Sequence, residues 1–505
     1  MIRPVRRNKV AQTIFCLLAL FMAGPLAAQD IKVRNLDEIL TSDQQSDSLE
    51  VMSIEGFMKV VLANHPVVRQ ADLLPDAARQ ELRLARGAFD PKLEATLDGK
   101  HFKDKEYYNL LNTTLKVPTW FPLDPKVSFE RNRGLFVNPE NSIPSEDDFR
   151  QVTAGLSLPV GRGLMIDQRR AAVRQAQLFQ GINQAERIKM INKILLSAAK
   201  DYWNWYFAYY NFLLVETSLN ISEDIYGRVK LNYDFGEAAV VDTVQAAITL
   251  QNRQIDLQEA RIAFKRSGLV LSNYLWGENQ EPLVIGEELK PELTIEGLYL
   301  APELQSDSLL NMAIAQHPEL TKLSLKLSQL DIEEQLAREN LKPRVDLEWN
   351  FINSPISNSG EFQDVMINDN YKFGIAFEFP LFLRKERAKL GQTRIKIDQT
   401  TLEFDQVQRE ILNGIRASYF ALSNRQGMLG TIQQAVSNYE VLLQAEIYNL
   451  ELGESDLFKI NFQQDKLLEA QIKLMKMRAD VEKARATLYW SAGVPYLNYQ
   501  PANLD

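Results

Sequence analysis

The chain is nearly empty of the residues that staple or catalyse. It has one cysteine and three histidines, His65, His101 and His317, in 505 residues. Without a second cysteine there is no disulfide framework, and without a local His pair or Cys–His set there is no zinc-type metal constellation. No cofactor fingerprint is present either. Gly161-Arg162-Gly163 lacks the rest of a dinucleotide motif and serves better as flexible backbone where a strand gives way to a helix. No enzyme is expected. Excess positive charge is missing too: 66 Asp and Glu outweigh 57 Lys and Arg, which argues against a nucleic-acid partner. Beyond the first 28 residues, no run reaches the roughly 18 consecutive apolar residues of a helical membrane span. Proline is absent between Pro159 and Pro282 and again between Pro380 and Pro495.

What is there begins with an export signal. Arg3, Arg6, Arg7 and Lys9 precede the largely apolar Val10–Gly24, and Leu26-Ala27-Ala28 before Gln29 forms a cleavage site, so residues 1–28 read as a signal peptide. Cys16, the only cysteine, lies inside it. Thr13-Ile14-Phe15 before it lacks the small residues of a lipoprotein box, so no lipid anchor is expected. An exported chain without a helical span is periplasmic, secreted, or inserted as a closed β-barrel.

The rest reads as one pattern written twice. Ala63-Asn64-His65-Pro66 returns as Ala315-Gln316-His317-Pro318, and Leu84-Ala85-Arg86 before Pro91 returns as Leu336-Ala337-Arg338 before Pro343. The spacing between these landmarks is constant. Both histidines read as helix-end structure. A unit mixing strand and helix periods in fixed order is not a simple solenoid. After an N-terminal extension, 29–52, the first copy spans 53–277, with strands within about 92–158, a long helix at about 163–233 and a return helix at about 240–275. A polar connector, 278–306, carries Pro282, Pro291 and Pro302, and is expected near the middle of the rod. The second copy spans 307–495, with strands within about 344–379, a long helix at 384–450 and a return helix at 456–491. Residues 496–505 are a tail.

Lys92–Lys103 and Phe149–Leu158 alternate as strands, as do Arg344–Asn353 and Tyr371–Phe379. Residues 106–148 hold either an external loop or an added hairpin around Asn112–Val117 and Lys126–Glu130. The long proline-free stretches carry apolar residues at steps of three and four. Leu422, Leu429, Ile432, Val436, Tyr439 and Leu443 mark one, and Ile460, Leu467, Leu474, Val481 and Leu488 recur at sevens on the return arm. That period is the mark of coiled-coil packing. A helix over 163–233 would run about 105 Å, several times a bilayer core. The return arms are only about half as long. The Ser53–Ala88 helix, interrupted at Pro66 and Pro75, and its repeat over 307–340 fill the remaining length. Trp203, Trp205, Tyr206, Tyr209 and Tyr210 are expected to fill the interior or contacts between chains.

This order resembles the TolC-like outer membrane efflux protein family: short helix, strand pair ending in proline, long helix, glycine tip, short return helix, then all of it again. The most specific match is Phe235-Gly236-Glu237-Ala238-Ala239-Val240-Val241-Asp242. The second tip, Leu452-Gly453-Glu454-Ser455-Asp456-Leu457-Phe458-Lys459, keeps the glycine but has Lys459 at the acidic position. The resemblance implies a mainly α fold with a β-barrel part. Internally duplicated coiled-coil hairpins form a trimeric α-barrel, capped by a shared 12-stranded outer-membrane barrel made from four strands of each chain. It further implies a passive exit duct in the outer membrane with a large periplasmic part, of a Gram-negative-type bacterium. The partners implied are two further copies of the chain, a periplasmic adaptor, through it an inner-membrane transporter, and outer-membrane lipid.

On that reading Asp242 lines the pore constriction in three copies. Lys459 either pairs with it and holds the tip closed or dilutes the negative ring. Gly236 and Gly453 shape the turns, while Glu237, Glu454, Ser455 and Asp456 face the adaptor. Pro159, Gly161, Gly163 and Pro380 mark the strand-to-helix junctions. The rival reading is a soluble periplasmic coiled-coil scaffold or adaptor, which leaves the duplication unexplained.

Overall fold

The computed structural model describes residues 34–35, 51–137, 145–236, 238–286, 289–292, 306–352, 370–451 and 454–494. In the first copy, α1 (Ile54–Asn64) and α2 (Pro66–Arg86) precede a long helix, α3 (Gln168–Asp234), and its return arm, α4 (Val240–Ser272). The second copy repeats this as α5 (Ser306–Gln316), α6 (Pro318–Glu339), α7 (Arg384–Glu451) and α8 (Leu457–Ser491). The 67 residues of α3 reach about 100 Å. No single shorter helix can cover that length, so two share it. Toward the sheet the helices pack in the row α2–α3–α6–α7, and toward the tips in the row α4–α3–α8–α7.

The repeated His-Pro pairs explain where α2 and α6 begin. His65 Nδ1 accepts from the Val67 N–H at 3.1 Å, and His317 Nδ1 accepts from the Glu319 N–H at 3.2 Å. Each caps its helix, and the following proline takes the first helical position, where an N–H is not needed. Pro75 does not break the chain as expected; it lies inside α2.

Burial lowers the pKa of both histidines, the flanking Lys189 adding to the effect at His317 while Glu319 opposes it. A base with a depressed folded pKa stabilises the fold above its unfolded pKa of about 6.5, and that contribution is lost as pH falls through the folded value. Thermal melts at pH 7.5 and pH 5 should therefore show a drop in stability. A double variant, His65→Asn with His317→Asn, caps without titrating and should flatten the drop. Each cap is worth about 1 kcal/mol. An equal pH response in the double variant would exclude the histidines.

The core sits at mid-rod. Trp205, Tyr202 and Tyr206 of α3 are fully buried with Phe57 of α1, Leu271 at the end of the return arm and Leu275 just after it. Of the aromatic cluster, Trp203, Trp205 and Tyr206 are buried within the single chain among α1, α4 and α8, while Tyr209 and Tyr210 are half-buried. The chain before α1 and the connector meet here as two short parallel pairs, Arg34–Asn35 (β1) with Leu283–Val284 (β7) and Val51–Met52 (β2) with Lys290–Pro291 (β8). Tyr202 donates to Met52 O at 2.8 Å and Tyr210 to Pro291 O at 3.3 Å, which fixes both segments beside the middle of α3.

The sheet departs from expectation. Four strands per chain were expected, with an added hairpin left open, and among the described residues six make the main sheet: β3 (Lys92–Phe102), β4 (Lys105–Lys116), β5 (Asp124–Gly134), β6 (Ser145–Pro159), β9 (Arg344–Ile352) and β10 (Tyr371–Glu378). They form one antiparallel sheet in the order β10–β9–β6–β5–β4–β3. Among the described residues the first copy has one hairpin more than the second, and that hairpin belongs to the sheet rather than to an external loop. Strand pairing puts Leu93, Leu97, Leu111, Leu115, Val127 and Phe129 on one face with Val152, Leu156, Trp349, Phe351, Phe373 and Ile375. The other face carries ion pairs between Lys116 and Glu94 at 2.7 Å and between Lys126 and Glu348 at 3.0 Å. Among the described residues no element packs over the apolar face: Leu93, Leu97, Phe373, Ile375 and Phe377 are all exposed.

Candidate functional site: the hairpin tips and the sheet-to-helix junction

At the first tip, α3 ends on Phe235, whose N–H donates to Leu231 O at 3.1 Å, and Gly236 follows with φ +78°. A side chain at Gly236 would meet nothing within 4 Å, so glycine is required there by its dihedral and not by crowding. Asp242 occupies the third position of α4 and accepts from the Ala239 N–H at 3.1 Å, satisfying one of the free donors of the helix start. Its carboxylate thus has a capping role as well as a charge. Glu237 lies outside the described residues.

The second tip is built differently. Asp456 caps α8, accepting from the Lys459 N–H at 2.9 Å, and the Lys459 ammonium lies 3.9 Å from the Asp456 carboxylate. Ser455 donates to Glu446 at 2.5 Å, and the Glu454 N–H donates to Asn449 O at 2.8 Å. Gly453 lies outside the described residues. Sequence reasoning set Lys459 against Asp242; within one chain its partner is Asp456, three residues earlier on the same turn. The signal for this was the Asp-x-x-Lys spacing itself, which places the two on adjacent positions of a first helical turn.

Between the two hairpins the return arms are joined near their middles. Arg253 of α4 bridges Asp256 on its own helix, at 2.8 Å, and Asp465 of α8. Nearer the sheet, Lys322 of α6 pairs with Glu186 of α3 at 2.6 Å; the hydrogen bond from Lys322 lowers the Glu186 pKa. Gln175 and Gln329 each donate to the other's backbone carbonyl, at 3.3 and 2.9 Å. These contacts hold the repeats side by side in register.

At the junction, β6 ends in Pro159 and the chain turns sharply to reach α3. The Val160 and Arg162 N–H groups donate to Val345 O and Pro343 O at 2.7 and 3.0 Å, so the first turn leans on the start of β9. Gly161 has φ +139°, and a Cβ there would stand 2.5 Å from Pro343 O; Gly163 has φ +94° in more open space. Asp167 caps α3 by accepting from the Arg170 N–H at 2.8 Å and pairs with Arg169 at 3.0 Å. Burial opposes its ionisation, but those bonds and both guanidiniums lower its pKa overall. Arg169 also reaches Asp124 at 3.1 Å, linking α3 to the start of β5. In the second copy the turn after Pro380 is only three residues, with Leu383 at φ +49° and Leu381 and Phe382 exposed. Because the helix needs the Asp167 cap, it starts at Gln168 and not at Gly163 as expected.

Among the described residues no cluster of His, Cys, Asp and Glu could hold a metal ion, and no helix is long and apolar enough to cross a membrane. A single chain thus offers a duplicated rod, a tip turned at Gly236 and a tip capped by Asp456 at one end, and a two-faced sheet at the other.

Known proteins share this arrangement. Residues 309–494 match the model of the outer membrane efflux protein family. No curated protein sequence matches the chain. Among solved structures, the MtrE outer membrane channel of Neisseria gonorrhoeae in its open state aligns over 89% of this chain and 94% of its own, at 13% identity and a TM-score of 0.60. The outer membrane protein VceC of Vibrio cholerae aligns over 88% and 96%, at 15% identity and 0.59. The CmeC outer membrane channel of Campylobacter jejuni aligns over 87% and 85%, at 13% identity and 0.58. Residues 309–494 thus match the outer membrane efflux protein domain, and the chain as a whole has the fold of the outer membrane channels.

Proposed function

We propose that three copies of this chain form the outer membrane channel of a tripartite efflux or secretion system. It is a passive exit duct, its sheet in the bilayer and its helices in the periplasm. The observation that carries the reading is the sheet. It has one face of exposed Leu, Phe, Ile and Trp and one of paired charges, and it has two open edges. In water such a face and such edges invite aggregation. In a closed barrel lipid covers the face and the neighbouring copies cover the edges. A soluble periplasmic scaffold offers nothing to cover either. The tips, at the opposite end of a rod about 100 Å long, meet a periplasmic adaptor that holds the inner-membrane transporter. Around that end Gly236 and Gly453 shape the turns and Glu237, Glu454, Ser455 and Asp456 contact the adaptor. Three copies of Asp242 ring the constriction, with Lys459 held against Asp456 and diluting the ring.

Fractionation and mass decide this. The mature chain should be extracted only with detergent, from the outer membrane, and should have three times the monomer mass by light scattering. A detergent-independent monomer with native helical circular dichroism would defeat the proposal.

A further inference from the structure

We infer that the barrel closes with eighteen strands, not twelve, through one particular register between β10 of each copy and β3 of the next. The inference rests on the trimer proposed above. The hairpin that the first copy has in addition is built to span a bilayer: β4 and β5 have 12 and 11 residues, against the 9–11 that a spanning strand needs. Their outward residues include Leu115 paired with Val127, and Phe129 and Leu111 paired with Thr113 and Arg131, so the apolar band continues across the sheet with Arg131 toward one rim. The strands alternate in direction from β3 to β10, so β10 of one copy lies antiparallel to β3 of the next, as an all-antiparallel barrel requires.

The free edges fit each other in one register. With Lys92 opposite Glu378 of the next copy, Asp98 falls opposite its Lys372, and both pairs unite opposite charges on the polar face. On the apolar face the same register sets Leu93 against Phe377, Leu97 against Phe373, and Gly99 against Tyr371. A one-residue slip would turn the apolar set of β10 to the wrong face. A slip of two in one direction sets Glu94 against Glu378 and Lys100 against Lys372, two repulsive pairs. A slip of two in the other direction sets Asp90 against Glu378 and loses the Asp98–Lys372 pair.

Closure geometry agrees. Backbone partners run in a line from Lys92 through Lys116, Lys126, Gly155 and Asn350 to Lys372. If Lys372 faces Asp98 of the next copy, the line climbs from position 92 to position 98 in crossing six strands. At about 3.3 Å per residue and about 4.8 Å between strands this is a strand tilt of about 35°, within the range of closed barrels. The slip that loses the charge pair gives only about 25°, outside that range. Eighteen strands make a barrel about one and a half times as wide as twelve.

The mature chain has no cysteine, so engineered pairs report cleanly. Two pairs of opposite hydrogen-bonding class test the register on outer-membrane preparations: Leu97→Cys with Phe373→Cys, and Thr96→Cys with Gly374→Cys. At least one should oxidise to a covalent trimer on denaturing gels, whereas the slipped pair Leu97→Cys with Ile375→Cys should not. Phe129→Cys with Ile375→Cys should also fail, because those strands meet only if β3 and β4 leave the barrel. Electron cryo-microscopy of the unmodified protein should count eighteen strands. A trimer with twelve strands, with no link at either matched pair, or linked through Phe129, overturns this closure and leaves the proposed function standing. A monomer in detergent overturns both.

Discussion

Replacing Gly161 with valine should nearly abolish assembled protein in the outer membrane, while Gly163→Ala should be tolerated far better. Both glycines have positive φ, a region that costs other residues about 1–3 kcal/mol. Only at Gly161 would the new Cβ also stand 2.5 Å from a backbone carbonyl, that of Pro343. That carbonyl cannot retreat without giving up the hydrogen bond it accepts from the Arg162 N–H. Strain and clash together should exceed about 3 kcal/mol, more than a hundredfold in the population of the correct turn. The measurement is the yield of heat-resistant trimer from membranes of both variants. Equal yields would mean that the turn around Gly161 does not direct the sheet onto the helices.

The second large effect concerns ions. Asp242→Asn should sharply lower the cation preference of the channel in planar bilayers at low salt and weaken block by multivalent cations. Asparagine keeps an oxygen for the Ala239 N–H, so the helix start survives and only the charge is lost. Fields in a narrow pore are poorly screened, whereas an exposed pair such as Lys459–Asp456 is worth about 0–1 kcal/mol. Lys459→Ala should accordingly raise cation preference without disturbing assembly. Unchanged selectivity in Asp242→Asn, on trimers of normal yield, would remove Asp242 from the pore.

Much of this architecture was readable in the residues because it rests on local rules. The His-Pro pairs mark two helix starts, the proline-free heptads mark two long helices, and the half-length return arms imply stacked partners. The sheet was only half readable. The two-residue turn at Lys103–Asp104, with φ values of 50° and 60°, joins β3 to β4 without the Asn-Gly or Asp-Gly signature such a turn usually carries. The start of β4 was therefore not legible, and the added hairpin stayed one of two alternatives. The place of the aromatic cluster of α3 stayed open for another reason. Its period shows that the residues are buried, but burial inside one chain and burial between chains leave the same sequence trace. The pairing of Lys459 was missed because the family pattern directed attention across the tips, whereas the nearest carboxylate was one helical turn away on the same strand of chain.

The fourfold row of helices beneath the sheet has a bearing on how the duct widens. Four helices at about 8–10 Å apart give each copy an arc of about 32–40 Å at the top of the rod. Six strands at about 4.8 Å, tilted by about 35°, cover about 35 Å of circumference. A sheet of four would cover only about 23 Å on the same terms, and the wall would have to pinch inward where helices become strands. The added hairpin makes the two layers equal in girth. In the trimer proposed above, cargo leaving the helical shaft would then meet no collar at the membrane surface, and any limit on its size would lie at the far end, among the tips.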